Sequence, residues 1–194
     1  MKLAPIVEGH GEVSALPILI RRIQQWKFPE FYLDIPPPIR VRRDRFLNKE
    51  EDFERHILLA SKKSGSDGWI LILLDADDDC PISLGEEILR RAEKYIKNKR
   101  ISVVIANREY EAWFIASAEA LNGHRGFRYI KNKEIDAEKP RNAKGWMGEY
   151  MPAGYSETVD QPSFSALMDL ELAHKGSRSF RKLCKEIIRA IESK

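Results

Sequence analysis

The sequence predicts an α/β protein in which helices cover both faces of a mostly parallel sheet, a three-layer sandwich of the Rossmann-like kind with further helices at its C-terminal end. Two apolar runs of strand length favour this fold, Leu3 to Val7 and Trp69 to Leu74. A continuous apolar run is typical of a strand that is covered on both faces. Such runs alternate along the chain with segments of helical periodicity, which indicates parallel strands joined by right-handed connections.

The first part of the chain alternates strand and helix. After the first strand, Gly9 and Gly11 supply a turn, and apolar residues then recur at helical spacing. Pro36, Pro37 and Pro38 exclude a central strand position, so the basic segment after them is predicted to be an edge strand or a loop. The predicted strands are 3–7, 69–74 and 101–106, with 31–35 as a further candidate strand. The predicted helices are 12–26, 50–63, 83–99 and 109–121, and the basic segment is 39–46.

The second part shows less regular patterning. Residues 122–161 contain glycine, proline and lysine with scattered aromatic residues, which is typical of surface loops. Two helices are predicted at 163–174 and 177–192. No internal repeat or low-complexity segment divides the chain. We therefore predict one domain over residues 1–194, with a core at about 1–121 and an extension at about 122–194.

Composition narrows the classes of function. The 194 residues are 43% hydrophobic and 32% charged with a net charge of +3, so a nucleic-acid-binding surface would have to be local. Cys80 and Cys184 lie far apart without a metal-binding pattern, which argues against structural zinc and against a disulfide framework. The N-terminus lacks the layout of a signal peptide, and no apolar run has the length of a membrane span. We expect a cytoplasmic protein without a membrane partner.

Acidic residues end two of the predicted strands. Glu8 follows the first strand, and Asp75, Asp77, Asp78 and Asp79 follow the strand at 69–74. Ligands of open α/β sheets bind beyond the carboxyl ends of the strands. If the two strands are neighbours, these carboxylates meet at one edge, where only a cation relieves their repulsion. Hard oxygen ligands predict Mg²⁺ or Mn²⁺.

These motifs resemble the Toprim superfamily of primases, topoisomerases and nucleases, in which a glutamate follows the first strand and an Asp-x-Asp follows a later adjacent strand. VEGHGE matches the first motif with Glu8, and LLDADDD matches the second with Asp75 and Asp77. Downstream, REYEAWF, VDQPSF and SRSFRKL are similar to the hallmarks of an uncharacterised bacterial and archaeal Toprim-like family known mainly as a domain of unknown function. That likeness covers nearly the whole chain.

The resemblance implies a phosphodiester hydrolase that uses one or two metal ions. Glu8, Asp75 and Asp77 are the predicted catalytic and metal-binding residues, and Glu8 could instead be the general base. Further candidate ligands are Glu12, Asp79, Glu109 and Glu111. Structural alternatives remain open, since the aspartates could cap the following helix and Glu12 could be an ordinary first-turn acid.

Basic residues are candidates for phosphate binding. Arg40, Arg42 and Arg43 alternate with apolar residues, which suits an arginine-lined strand face. A charged edge strand that resists aggregation explains the same pattern. Arg108, Arg178 and Arg181 could pair with a phosphate oxygen. A second basic group with nearby aromatic residues either grips a single strand or forms a lysine-rich loop. Its members are Lys131, Lys133, Lys139, Arg141 and Lys144, with Tyr129 and Trp146.

Three functions follow from the sequence. The first is a metal-dependent nuclease that acts on DNA or RNA. The second is a non-catalytic Toprim-like module that binds nucleic acid or a partner, as a homodimer or as one subunit of a defence or repair system. The third is a metal-dependent hydrolase of nucleotides or small phosphate esters, although no P-loop or dinucleotide fingerprint is present.

Overall fold

The computed structural model describes residues 1–130 and 135–193, and its centre is a four-stranded sheet. All three strand pairs are parallel, and the strand order is β2-β1-β3-β4. The predicted α/β fold with a parallel sheet is therefore confirmed. The strands are β1 (Leu3–Val7), β2 (Ile39–Arg40), β3 (Trp69–Asp75) and β4 (Arg100–Ala106).

Ten helices accompany these strands in the described ranges. They are α1 (His10–Lys27), α2 (Arg43–Asn48), α3 (Glu50–Ser64), α4 (Pro81–Tyr95), α5 (Ala112–Ala116), α6 (Ala118–Leu121), α7 (Ala143–Glu149), α8 (Glu157–Leu167), α9 (Leu170–Gly176) and α10 (Arg178–Glu192). A short 3₁₀ turn lies at His124–Gly126. None of the helices in the described ranges has both the length and the apolar character that a membrane span needs.

The sheet separates two hydrophobic layers. Alternate strand residues point to opposite faces. Leu71 and Val104 therefore pack on the side of α1, α5, α8 and α10, whereas Ile72 and Val103 pack on the side of α3 and α4. All seven residues of β3 are buried. This burial on both faces explains why the central strands read as continuous apolar runs, and it confirms the three-layer arrangement.

The strand register brings the predicted acidic residues to one edge. Val7 lies opposite Leu73, and Asp75 lies opposite Ala106. The carboxyl ends of β1, β3 and β4 therefore meet at the same end of the sheet. Glu8, the residue after Val7, and Asp75, the last residue of β3, are brought to this end by strand pairing alone.

Four segments differ from the sequence prediction. The basic segment contributes only Ile39–Arg40 to the sheet, because Phe46 is buried by a helical turn, α2, that starts at Arg43. The predicted helix at 109–121 is instead two short helices, α5 and α6. The predicted loops contain α7 and the start of α8. The predicted helix at 163–174 is divided where Asp169 caps α9 through the amides of Glu171 and Leu172.

Helices α1 and α8 approach closely near Gly11. A Cβ atom at this position would lie 2.2 Å from Gln161 Oε1 and 2.4 Å from the Glu157 carbonyl oxygen. Gly11→Ala is therefore expected to lower the free energy of unfolding by roughly 1–3 kcal/mol through overpacking. Urea denaturation measures this difference.

Gly148→Ala is the matched control, because a Cβ atom at Gly148 has open space within 4 Å. Alanine there is expected to leave stability unchanged or to raise it by up to about 1 kcal/mol, since Gly148 lies inside α7. Equal destabilisation by both substitutions would contradict the proposed close approach.

Candidate acidic site at the carboxyl edge of the sheet

Glu8 and Glu12 are joined by the turn that links β1 to α1. Glu12 Oε2 accepts hydrogen bonds from the backbone amides of Glu8, at 3.1 Å, and Gly9, at 3.2 Å. Glu12 is buried and caps the start of α1. It therefore has the structural role that was given above as the alternative for this residue, that of an acidic residue in the first turn of a helix. The Oε2 atom of Glu8 is buried without a hydrogen-bond partner.

Asp75 is buried where β3 ends. Its Oδ1 atom accepts a hydrogen bond of 2.9 Å from the backbone amide of Tyr110. This bond fixes the segment after β4 over the end of β3. The side chain of Tyr110 is buried in turn, and its hydroxyl lies 2.9 Å from Ser165 Oγ on α8.

Glu111 follows Tyr110 and is fully buried. Its Oε1 atom accepts hydrogen bonds from the Tyr155 hydroxyl, at 2.8 Å, and from Gln161 Nε2, at 3.1 Å. Its Oε2 atom has no hydrogen-bond partner, and neither has Gln161 Oε1. The sequence indicated Glu111 as a candidate but not Tyr155 or Gln161. Gln161 belongs to the VDQPSF motif, and this motif was the feature of the sequence from which a role for Gln161 could have been predicted.

These four carboxyl groups, Glu8, Glu12, Asp75 and Glu111, are called the acidic cluster below. Burial raises the pKa of Glu12 to about 7, and the nearby carboxylates of Glu111 and Glu8 add to the effect. Burial likewise raises the pKa of Glu111 to about 7. The pKa of Asp75 is raised well above its usual range by burial and then by Glu12 and Glu111. These mutual effects mean that the four groups behave as one electrostatic unit.

Lys144, on α7, is one of two cations beside the acidic cluster. Its Nζ atom lies 3.1 Å from Glu157 Oε1, and its backbone amide donates to Glu109 Oε2 at 2.9 Å. Burial alone would lower the pKa of Lys144, but the carboxylates of Glu111 and Asp75 raise it above its usual range. Lys144 therefore stays charged and offsets part of the negative charge. The sequence indicated Lys144 only as a member of a basic group that either grips a single strand or forms a lysine-rich loop.

Arg43, at the start of α2, is the other cation. Its Nε atom lies 3.9 Å from Glu8 Oε2 and 3.8 Å from Asp77 Oδ2, and its Nη2 atom lies 2.5 Å from Asp79 Oδ2. Arg43 Nε has no hydrogen-bond partner in this buried position. The guanidinium of Arg43 therefore links the glutamate motif to the aspartate loop, but its Nε donor remains without a hydrogen-bond acceptor.

The aspartate loop, residues 76–79, follows Asp75 at the end of β3. Asp77 has a φ of +49°, a left-handed conformation that aspartate tolerates better than most residues. Asp78 pairs with Arg141 and, at 3.0 Å, with Arg108. Hydrogen bonds from Arg141 hold the pKa of Asp78 below its usual range. Asp77, Asp78 and Asp79 are exposed and face arginines, whereas Asp75 alone of the four lies in the acidic cluster.

The predicted basic residues divide between two places. Arg40, Arg42 and Arg43 line a cavity of about 270 Å³ together with Glu8, Asp75 and Lys144. Arg178 lines a different cavity beside β4, and Arg108 is bound to the aspartate loop. Tyr129 is buried against Trp146 with ring centroids 5.8 Å apart. The predictions for Lys131 and Lys133 fall outside the described residues.

The donor set can be tested against a hard divalent cation. Carboxylate and amide oxygens are suitable ligands, and three buried oxygens, on Glu8, Glu111 and Gln161, lack hydrogen-bond partners. Within the described residues, however, no three Asp, Glu, His or Cys side chains form a ready metal-binding group. The chemistry of the residues therefore suits Mg²⁺ or Mn²⁺, but binding would require the side chains to turn toward the ion.

The fold and the acidic cluster define the chain as a parallel α/β protein with a buried, multiply charged site at the carboxyl edge of its sheet. A family model described as a domain of unknown function (DUF4276) matches residues 7–188, so the chain belongs to that family. The predicted membership of an uncharacterised family is thereby confirmed. Comparisons with curated proteins and with solved structures found no match.

The raised pKa values predict how stability depends on pH. The folded protein holds protons on Glu12 and Glu111 up to their raised pKa of about 7, whereas the unfolded chain releases them near the ordinary glutamate pKa of 4.5. The contribution of this protonation to the free energy of unfolding has its full value below about pH 4.5 and is lost as the pH rises toward 7. Thermal melts at low salt should show this loss, on the order of 2 kcal/mol, between pH 5 and pH 8.

Glu111→Gln removes one of the titrating groups and is expected to reduce the loss of stability over the same range. Glu93→Gln, at an exposed position of α4, is the control and should leave the slope unchanged. Identical slopes for the wild type and Glu111→Gln would show that the buried carboxyl group does not titrate as described.

Proposed function

We propose that this chain is a metal-dependent phosphodiesterase of the nuclease kind, with a Toprim-like site that acts on DNA or RNA. The observation that supports it best is the acidic cluster, in which the ends of β1 and β3 and the segment after β4 bring four carboxyl groups together. Burying like charges is costly unless a cation or protons neutralise them. A protein that only needed stability would gain more from apolar residues at these positions.

The residues that would hold Mg²⁺ or Mn²⁺ are Glu8, Asp75 and Glu111. A bound ion there would stabilise the negative charge that develops on a phosphodiester during attack by water. The alternative role of Glu8 is that of general base instead of metal ligand. Its Oε2 atom lacks a hydrogen-bond partner and burial raises the pKa of its carboxyl group, which suits it to accept a proton from the attacking water.

The cations beside the acidic cluster suit a phosphate substrate. Arg43 contacts Glu8 only at 3.9 Å and has an unsatisfied Nε donor. A phosphate oxygen is a better partner for a guanidinium than a long contact of this kind. Arg40 and Arg42 line the same cavity and extend the positive surface along which a nucleic-acid backbone could lie. These contacts favour a polymer over a free nucleotide.

A second candidate function is a non-catalytic module that binds nucleic acid or a partner protein. A specific observation favours it, because Arg43 and Lys144 already neutralise part of the acidic charge. Side chains that pair internally need no metal ion. In that case the acidic cluster would be a structural feature of the fold, and the arginines around the cavity would provide affinity without cleavage.

Cleavage assays separate these two functions. With Mg²⁺ or Mn²⁺, the purified protein is expected to cut DNA or RNA, and Asp75→Asn should reduce the rate by at least about 100-fold because it replaces a carboxylate ligand of the ion with a neutral amide. Asp67→Asn, in an exposed loop, is the control. Cutting that survives Asp75→Asn would reject the nuclease assignment, and tight binding without cutting would support the second function.

Thermal melts with added Mn²⁺ test the metal independently of cleavage. Binding to the folded state should raise the melting temperature, more at pH 8 than at pH 6 because protons compete for Glu12 and Glu111. Lys144→Met removes the internal cation and should increase this shift, while Lys94→Met on α4 should not change it. An absent shift in both the wild type and Lys144→Met would overturn the metal assignment.

A further inference from the structure

A large cavity lies beside β4, away from the acidic cluster. It has a volume of about 710 Å³ and lies between helices α4 and α10. Ile101, Ser102, Val103 and Ile105 of β4 form its floor. Among the described residues, β3 is the only strand paired with β4, so the floor is an open sheet edge. We call this cavity the β4 groove.

An open sheet edge presents backbone amides and carbonyls at regular intervals. These groups are best satisfied by another extended backbone, which supplies donors and acceptors at the same spacing. A small apolar molecule would leave most of them unpaired. The backbone edge along the floor therefore favours an extended polypeptide segment as the occupant.

The two walls of the groove differ in chemistry. On the α4 side, Ile82, Gly85 and Leu89 face Val103 and Ile105, which makes this half apolar. Ile82 is 71% exposed, a high value for an isoleucine beside a cavity. An occupant would cover this apolar surface, and Gly85 leaves room for its side chains.

The α10 side is polar: Arg178, Lys182 and Arg189 line it together with two carboxylates, Glu138 and Glu186, which leaves an excess of one basic group. Glu186 accepts hydrogen bonds from Ser102, at 2.5 Å, and Lys182, at 2.6 Å, and it lies 3.9 Å from Arg189. Two cations therefore share one carboxylate. Arg178 lines the same half and forms no ion pair within the described ranges. Acidic side chains of an occupant would complement this wall.

A strand placed beside β4 would point alternate side chains at the two walls. We propose that the β4 groove binds an extended segment of a partner protein in which apolar and acidic residues alternate, added to the sheet as a fifth strand. The apolar residues pack against α4, and the acidic residues pair with Arg178 and Lys182. This binding is independent of the reaction proposed at the acidic cluster.

A second folded copy of this chain fits the groove less well than a single strand. Neighbouring strands lie about 4.8 Å apart. In a copy paired through its own β4, helices α4 and α10 would again flank the strand on both sides, and they would meet the walls of the first groove before the strand edges came together. The groove is therefore suited to one isolated strand.

Peptide binding tests this proposal directly. The probe is a fluorescently labelled nonapeptide of alternating valine and glutamate, compared with one of alternating valine and lysine. The glutamate peptide should bind saturably to the full chain, at least tenfold more tightly than the lysine peptide, and should slow amide hydrogen exchange in residues 101–105. Arg178→Glu should reduce the preference for glutamate.

Gly85→Leu fills the apolar half of the groove. A Cβ atom there meets only Ile105 Cγ1, at 3.6 Å, so the variant is expected to fold, and leucine favours the helix. It should weaken peptide binding at least tenfold without lowering the melting temperature. Arg90→Leu, on the outward face of α4, is the matched control and should bind like the wild type.

Three outcomes would overturn the proposal. The first is the absence of saturable binding up to about 1 mM peptide. The second is equal binding of the two peptides, or undiminished binding by Gly85→Leu, either of which would place the contact outside the groove. The third is a dimeric wild type whose Gly85→Leu variant is monomeric, which would assign the groove to a second copy of the chain.

Discussion

The mutual repulsion of four carboxyl groups, three of them buried and that of Glu8 partly buried, is the constraint on which the surrounding structure depends. Parallel strands bring their carboxyl ends together, so Glu8 and Asp75 become neighbours as soon as β1 pairs with β3. The protein offsets their charge in three ways: backbone amides donate to Glu12 and Asp75, protons stay bound near neutral pH, and two cations approach from outside the sheet. Each of these is reversible, which distinguishes the acidic cluster from a permanently satisfied salt bridge.

The helices outside the sheet hold this edge in place. The α8 helix lies against α1, and its Gln161 reaches Glu111, while the preceding segment supplies Tyr155. The α7 helix brings Lys144 to the same region, and nearby Arg141 binds Asp78. The part of the chain after residue 122 therefore contributes side chains to the site and does not form surface loops alone. A change in its position would alter the charge balance of the acidic cluster without touching any carboxylate.

The sequence predicted the sheet and the identities of the clustered acids, but not their partners. Strands β1, β3 and β4 were predictable because burial on both faces produces uninterrupted apolar runs. Glu8 and Asp75 were predictable because they follow those runs directly. Lys144 was not, because its approach depends on packing between segments far apart in sequence. The left-handed conformation of Asp77 was not predictable from composition, and it places the Oδ2 atom of Asp77 3.8 Å from Arg43 Nε.

The two edges of the sheet are unlike each other. On one side β2 pairs through only two residues, and Pro36, Pro37 and Pro38, which lack amide hydrogens, come just before it. On the other side all seven residues of β4 are aligned with β3, and four of them line the β4 groove. The sheet can consequently be extended in one direction only. In any assembly that lengthens the sheet, strands are therefore added at β4, and the proline-flanked β2 edge remains at the outside.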